Sequence, residues 1–168
     1  MKVIEEIQKR YSCRAYMDKP VEQEKLDQIF EAARQAPSAK NLQDWRFVVV
    51  TDKKIKQQVA DCTNHQNAFG QAGAIIAACS VCGETMKCGQ RIAPIDVSIA
   101  LEHIALMATE LGLATCWIGS FDAEKVRQVL EIPEDVAIIE LMALGYPDDG
   151  SRQTTREPMK SIVCRDKW

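Results

Sequence analysis

The amino-acid sequence predicts one domain built from a mixture of helices and strands. With 168 residues, the chain suits a single domain with a substantial core. Its content of 46% hydrophobic and 27% charged residues is typical of a globular protein. Short runs rich in Val and Ile alternate with longer segments whose apolar residues fall at helical spacing, and this alternation indicates the mixed class.

The predicted elements follow one another without repeats or a linker. A first helix ends near Arg10, and a second, which contains Leu26 and Ile29, is stopped by Pro37 because the residue before a proline disfavours helical geometry. Asp122 is a predicted N-cap. The remaining predictions are helices over 53–62, 94–111 and 122–130, strands over 46–50, 73–81, 114–118 and 136–144, and an extended tail over 145–168.

The predicted helix over 94–111 is apolar on almost every face. We expect Pro94 to open it and Gly112 to close it as a C-terminal cap. A domain of this size can hardly cover such a helix on all sides, which favours packing against a partner subunit. The alternative is a central core helix in a monomer. Acidic residues and His103 interrupt the apolar run, so we do not expect it to span a membrane.

Charge and cysteine content limit the possible partners and compartment. The formal charge is 21 − 24 = −3, and no basic run is present. Neither nucleic acid nor an anionic membrane is therefore expected as a partner. The N-terminus lacks the apolar core of a signal peptide, and the seven cysteines are an odd number. Both observations favour reduced thiols and a cytoplasmic location.

The segment Arg10-Tyr11-Ser12-Cys13-Arg14 is a candidate phosphate site. If the chain is extended beyond Arg10, residues 10, 12 and 14 point to the same side. Two guanidinium groups and a hydroxyl then form a clamp matched to phosphate oxygens. The alternative is a pair of solvated arginines beside a helix end.

Two further segments could contact a flat ligand. In the stretch from Ala36 to Trp45, small residues permit close approach, and the Ser38 and Asn41 side chains can bond a polar edge. An ordinary helix-to-strand turn has similar composition. In the stretch 112–121, Gly119 follows a predicted buried strand, where a glycine lets backbone N–H groups come close to a cofactor ring.

Taken together, these motifs resemble the nitroreductase family in content, order and spacing. They are R-x-S-x-R, A-P-S-A-x-N-x-Q-x-W and G-L-A-T-C-W-I-G, followed near the C-terminus by L-G-Y-P and T-R-E-P. The likeness covers nearly the whole chain, so residues 1–168 are expected to form one FMN-binding domain. The resemblance implies an α+β fold with a mostly antiparallel sheet flanked by helices. It also implies an intertwined homodimer with FMN at the subunit interface.

The resemblance implies the following cofactor-binding residues. Those for the phosphate and ribityl chain are Arg10, Ser12, Arg14 and Arg156, with Arg152 as a rival to Arg156. Those that line the ring from the partner subunit are Pro37, Ser38, Ala39 and Asn41. Backbone groups of Ile118 and Gly119 are expected at the reactive edge of the flavin. Gln66 is a further expected contact, although the residues around it match more loosely.

The implied activity is hydride transfer from NADH or NADPH to FMN and then to a small acceptor, such as a nitroaromatic or a quinone, by a ping-pong mechanism. No side chain, His65 and His103 included, is expected as a catalytic acid or base, and no metal is expected. Two alternatives remain open. One is a protein that stores, delivers or fragments flavin without NAD(P)H turnover. The other is a metal or redox-sensing module formed by Cys79, Cys82 and Cys88, whose ligand set is incomplete.

Overall fold

The computed structural model describes residues 2–64, 69–150 and 154–168. Within these residues the helices are α1 (Lys2–Lys9), α2 (Gln23–Arg34), α3 (Lys53–Asp61), α4 (Ile92–Glu110), α5 (Ala123–Leu130) and α6 (Met159–Ile162). The strands are β1 (Trp45–Val50), β2 (Ala74–Ser80), β3 (Ala114–Ile118) and β4 (Ala137–Gly145). A short 3₁₀ turn covers Ala39–Asn41. The mixed composition expected from the sequence is confirmed.

The four strands form one sheet in the order β1-β2-β4-β3, and each neighbouring pair is antiparallel. This confirms the antiparallel sheet. Strand β2 is buried along its whole length, because it lies in the middle of the sheet and is covered on both faces. Strands β1 and β3 are the edges. The position of β3 at an edge matters for the site, since one side of its backbone is not paired with another strand of the sheet.

Helices cover both faces of the sheet. On one face, Ile75 of β2 packs with Val59 of α3 and Val126 of α5. On the other face, its neighbour Ile76 packs with Ile29 of α2 and Leu101 of α4. Successive residues of a strand point to opposite faces, so one buried strand supplies both hydrophobic clusters. The result is a sheet between two layers of helices.

Helix α4 begins at Ile92, two residues before the predicted start at Pro94. Pro94 is tolerated because the N–H groups of the first helical turn have no intrahelical acceptor in any case. The end of the helix is as predicted: Gly112 has a φ of +74°, and the Leu113 N–H donates to the Ala108 carbonyl at 2.8 Å. By length and composition α4 could cross a membrane, yet it packs between α2 and the sheet as a core helix.

The remaining predictions on the chain ends and caps also have clear outcomes. Asp122 is the N-cap of α5, and its side chain accepts the Lys125 backbone N–H. The tail contains the short helix α6, which the expectation of a fully extended segment missed. Every described residue of the tail over 154–168 is exposed, and these residues include Met159, Ile162 and Val163. Apolar side chains in such a position indicate a surface that the single chain does not cover.

Candidate functional site

The segment that follows α1 runs along the start of edge strand β3. Ser12 forms a parallel bridge with Thr115, and the Cys13 N–H donates to the Thr115 carbonyl at 3.0 Å. Tyr11 and Cys13 pack into the core cluster on the α3 and α5 face. Because side chains alternate along an extended chain, Ser12 and Arg14 are left on the outer side. The R-x-S-x-R spacing predicts this arrangement for Ser12 and Arg14, whereas Arg10 directly follows α1 and its N–H donates to the Glu6 carbonyl at 2.9 Å.

The two arginines of this segment are held loosely. The exposed Arg14 donates from Nη1 to the Ser12 carbonyl at 3.3 Å. Burial raises the pKa of the Cys116 thiol of β3, and the positive charge of Arg14 opposes that rise. Arg10 Nε lies 3.8 Å from Oε1 of Glu102 on α4. Both guanidinium groups therefore keep donors for an anion.

Asp149 fixes the backbone of the same segment. Its Oδ1 accepts the Tyr11 hydroxyl and the Cys13 thiol, each at 3.0 Å, and its Oδ2 accepts the Arg14 backbone N–H at 3.0 Å. Burial raises the pKa of Asp149, but these three hydrogen bonds outweigh it and hold the pKa below its ordinary value. Sequence reasoning missed this residue, which lies in a Pro- and Asp-containing turn without a recognisable motif.

The second predicted segment, between α2 and β1, is tied to the start of α4. The Ala39 N–H donates to Oδ2 of Asp96 at 2.8 Å, and the Gln43 N–H donates to the Ser38 hydroxyl at 3.0 Å. Pro37 and Asn41 are exposed, whereas Ser38 and Ala39 are half-buried. Lys40, Asn41 and Gln43 all have left-handed backbone angles, with φ of 52°, 57° and 50°. Such strain in residues other than glycine is concentrated at functional sites.

A single chain does not bring these two segments together. The first contacts α4 through Glu102, and the second contacts it through Asp96. Asp96 and Glu102 are six residues apart, which corresponds to about 9 Å along the helix axis and a rotation of roughly 240° around it. The residues expected at the phosphate and those expected at the ring from the partner therefore lie on different sides of the same helix.

The end of β3 brings Ile118 and Gly119 next to an acidic side chain. Ile118 is buried, and a Cβ placed on Gly119 would lie 3.7 Å from both carboxyl oxygens of Glu140 on β4. Oε1 of Glu140 is buried and has no hydrogen-bond partner among the described residues. Burial raises the pKa of Glu140, although the N–H groups of Leu141 and Ile118 oppose the rise. Sequence reasoning missed Glu140, yet it is the one acid in the otherwise apolar sequence of β4.

The other predicted contacts are not assembled in the described chain. Gln66, His65 and the rival Arg152 lie outside the described residues. Arg156 is exposed in the tail, where its guanidinium donates to Thr154 and Thr155. His103 packs between α4 and α2, with Nδ1 3.0 Å from the Ala32 carbonyl, as expected for a packed histidine.

The cysteines do not support the alternative of a metal module. All seven are free thiols, and among Cys79, Cys82 and Cys88 the first is buried and the last is exposed. Burial raises the pKa of Cys79 to about 11, so its thiol is protonated at neutral pH. Within the described ranges, no group of three or more His, Cys, Asp or Glu residues could hold a metal ion.

Comparison with known proteins agrees with this fold. The sequence model of the nitroreductase family matches residues 7–81 and 57–146. A protein of Archaeoglobus fulgidus, named as a candidate NADH dehydrogenase/NAD(P)H nitroreductase, is 33% identical over 144 residues, which are 83% of this chain and 82% of the relative. Together, the sheet, its helical layers and these matches define a nitroreductase-type α+β protein.

Two solved structures extend the likeness to the backbone. A nitroreductase family protein of Clostridium difficile 630 is 31% identical, covers 100% of both chains and has a TM-score of 0.90. An FMN-dependent nitroreductase of C. difficile R20291 is 29% identical, with a TM-score of 0.85 over 98% of this chain and 99% of that one. The chain belongs to the nitroreductase family.

Proposed function

We propose that this protein is an FMN-dependent oxidoreductase that transfers hydride from NADH or NADPH to a small acceptor, such as a nitroaromatic or a quinone. One observation supports this most strongly: Ser12 and Arg14 lie along the start of an edge strand, and the guanidinium groups of Arg14 and the nearby Arg10 keep donors available for a phosphate. The names of the relatives support the same cofactor and donor, since one is an FMN-dependent nitroreductase and another a candidate NAD(P)H nitroreductase.

The residues at the edge of β3 fit a flavin mononucleotide. The phosphate dianion suits the two guanidinium groups and the Ser12 hydroxyl, which together offer charge and directional donors. At the far end of the strand, Oε1 of Glu140 is buried and has no hydrogen-bond partner in the parts of the chain that the structure describes, so a polar group of a ligand can be satisfied there. When bound, FMN supplies the hydride chemistry, while these residues bind and orient it.

The cofactor site requires a homodimer. Ile4 and Ile7 of α1 are 52% exposed and Ile95 of α4 is 40% exposed, so apolar surface remains beside the long helix. The segment from Pro37 to Asn41 lies on a different side of α4 from the clamp segment Arg10–Arg14. A two-fold dimer lets that segment in one protomer meet the clamp of its partner, and it also gives the exposed tail a surface on which to pack.

Further assignments in the proposed site follow from the family resemblance. Arg156 joins Arg10 and Arg14 at the phosphate once the tail is packed, and Gln66 contacts the flavin. Backbone groups of Ile118 and Gly119 face its reactive edge. Seven free cysteines suit a reducing compartment, so we place the enzyme in the cytoplasm.

The test is the visible absorption spectrum of the purified protein, recorded before and after anaerobic addition of NADH or NADPH. We expect the two bands of bound oxidised flavin, which one donor bleaches and an added quinone or nitroaromatic restores. A bound flavin that neither donor reduces would instead support a protein that stores or delivers flavin. A colourless protein that takes up no added FMN would overturn the proposal.

A further inference from the structure

Glu140 lies next to an irregularity in strand β4. Along the pairing of β2 with β4, Ala78 faces Glu140 but the next residue, Cys79, faces Ile138. Ile139 is therefore the extra residue of a β-bulge. A bulge breaks the alternation of side chains and re-aims the residue beside it.

The Glu140 carboxyl lies at the end of β3. The pairing of β3 with β4 ends at Ile118 and Leu141, so Glu140 lies opposite the point where the chain leaves the sheet. Its two carboxyl oxygens are equally close to the Cβ position of Gly119, at 3.7 Å. A larger residue in place of Gly119 would put a side chain between this carboxyl and the space beyond the strand.

Among the described residues, Glu140 forms no ion pair, and the backbone N–H groups of Leu141 and Ile118 are what stabilises its charge. Oε1 has no hydrogen-bond partner in the described part of the chain. Burial raises the pKa of Glu140, and no charged group is among the causes of that shift. A half-buried carboxyl without a cation costs free energy. Its presence in an apolar strand calls for a ligand or a function at that point.

We propose that Glu140 is a redox-linked carboxyl, whose protonation is coupled to the redox state of a flavin bound along β3. This inference rests on the proposed function. The clamp lies at the start of β3 and Glu140 at its end, so a phosphate-bearing ligand anchored at Arg10–Arg14 extends along the strand toward Glu140. At about 3.3 Å per residue, the five residues of β3 span a distance that such a ligand can cover.

The coupling follows from charge. When bound, FMN would supply the hydride chemistry: a hydride from NAD(P)H carries an electron pair and one proton, so it would add one negative charge at the site, and NAD(P)⁺ would leave. A carboxylate close by opposes that charge, and its affinity for a proton rises. Glu140 therefore takes up a proton from water on reduction. Reduction of a quinone to a hydroquinone consumes one hydride and one proton. The bound cofactor would supply the hydride, and Glu140 would supply the proton and return to the carboxylate.

The test measures the midpoint potential of the bound flavin against pH in the holoprotein, without turnover. In Glu140→Gln the opposing charge is gone, so we expect a more positive potential at alkaline pH. At alkaline pH and a fixed potential, the ratio of reduced to oxidised flavin should be about tenfold higher in Glu140→Gln than in wild type. At acidic pH, where the wild-type carboxyl is protonated in both redox states, the two proteins should converge. Glu134→Gln, which removes an exposed carboxyl before β4, is the matched control and should follow wild type.

Each other outcome is also decisive. Potentials of Glu140→Gln and wild type that coincide or stay parallel over the whole pH range would overturn the coupling while leaving the flavin enzyme intact. Wild-type protein that binds no flavin would overturn both proposals. If Glu140→Gln does not bind flavin, Glu140→Asp is the second variant, because it keeps a carboxyl. Its midpoint potential, plotted against pH, must then show the same bend as the wild-type curve. A curve of Glu140→Asp without that bend would contradict the proposal.

Discussion

Asp149 and Arg14 are 135 positions apart in the sequence, yet the Asp149 carboxylate accepts the Arg14 backbone N–H at 3.0 Å. The same carboxylate accepts the Tyr11 hydroxyl and the Cys13 thiol. One side chain from the turn after β4 therefore holds three donors of the clamp segment, from Tyr11, Cys13 and Arg14. The guanidinium groups of that segment bind nothing firmly, so the shape of the clamp depends on its backbone, and its backbone depends on Asp149.

Replacing Asp149 by alanine should weaken FMN binding by about tenfold, because about 1.4 kcal/mol of hydrogen bonding that orders the clamp is lost. The affinity for riboflavin, which has no phosphate, should change far less. Fluorescence titration of the apoprotein with both flavins measures the two affinities. Asp148→Ala, a change at the exposed neighbouring residue, serves as the control. Equal losses for FMN and riboflavin would show that Asp149 supports the fold rather than the clamp.

The low pKa of Asp149 also predicts how stability depends on pH. Hydrogen bonds to the carboxylate hold its folded-state pKa below the unfolded value of about 3.9. Its stabilising contribution is therefore complete above that value and is lost as the pH falls through the folded-state pKa. Urea unfolding of wild type and Asp149→Asn from neutral to strongly acidic pH measures it. Wild type should be the more stable at neutral pH, with the difference shrinking in acid; a constant difference would contradict this assignment.

The double change Arg10→Ala and Arg14→Ala should remove FMN while leaving a folded dimer. Hydrogen bonds to charged groups contribute about 1.5–3 kcal/mol each, so losing one from each arginine lowers the FMN affinity at least a hundredfold, or roughly 3 kcal/mol. Flavin content after gel filtration and sedimentation velocity give both readouts. Arg34→Ala, on the exposed surface of α2, is the control for the loss of an arginine. Full flavin occupancy in the double variant would mean that the phosphate lies elsewhere.

The side chain of Leu101 on α4 is fully buried where the helix packs on the sheet. Leu101→Ala should therefore lower the free energy of unfolding by about 2–5 kcal/mol. The cavity left in the close-packed core accounts for the loss. Chemical denaturation at several protein concentrations measures it. The control is Ile99→Val, which removes one methyl group from a partly exposed position on the same helix. Its effect should be clearly smaller. Ala93→Gly is not suitable, because glycine adds backbone freedom.

Ile7 and Ile95 test the dimer. Both are largely exposed in the single chain, so Ile7→Asp with Ile95→Asp should leave the folded protomer intact. In the proposed dimer they face the partner, where a buried and unpaired carboxylate costs several kcal/mol. Sedimentation should then show a monomer that has lost its flavin, while Ile55→Asp on α3 remains dimeric. A double variant that stays dimeric would place the interface elsewhere.

Much of the fold could be predicted from sequence because local signals agree with the tertiary structure. Asp122 before a helix and Gly112 after one act through the backbone around them, and the structure shows both caps. The first residue of α4 was wrong by two positions, since Pro94 is compatible with any place in the first turn. The short helix α6 escaped notice because four residues give no usable periodicity.

The site was less predictable because its contacts join distant parts of the chain. The R-x-S-x-R spacing reveals the outward side chains of the clamp, but not the Asp149 carboxylate behind it. The position of the Glu140 carboxyl beside Gly119 depends on the pairing of β4 with β3, and strand pairing is not a property of local sequence. The sequence did contain a signal for both acids, since Glu140 lies in an apolar strand and Asp96 in an apolar helix. Both side chains lie next to predicted site residues.

The fully exposed tail has a consequence for handling the enzyme. Residues 154–168 include Met159, Ile162, Val163 and Trp168, all open to solvent in the single chain. If a second protomer supplies the surface on which they rest, dilution below the dissociation constant of the pair frees them. Proteases cut such segments first. Sensitivity of the C-terminus to limited proteolysis would then depend on protein concentration, and loss of activity on dilution would become irreversible once the tail is cut.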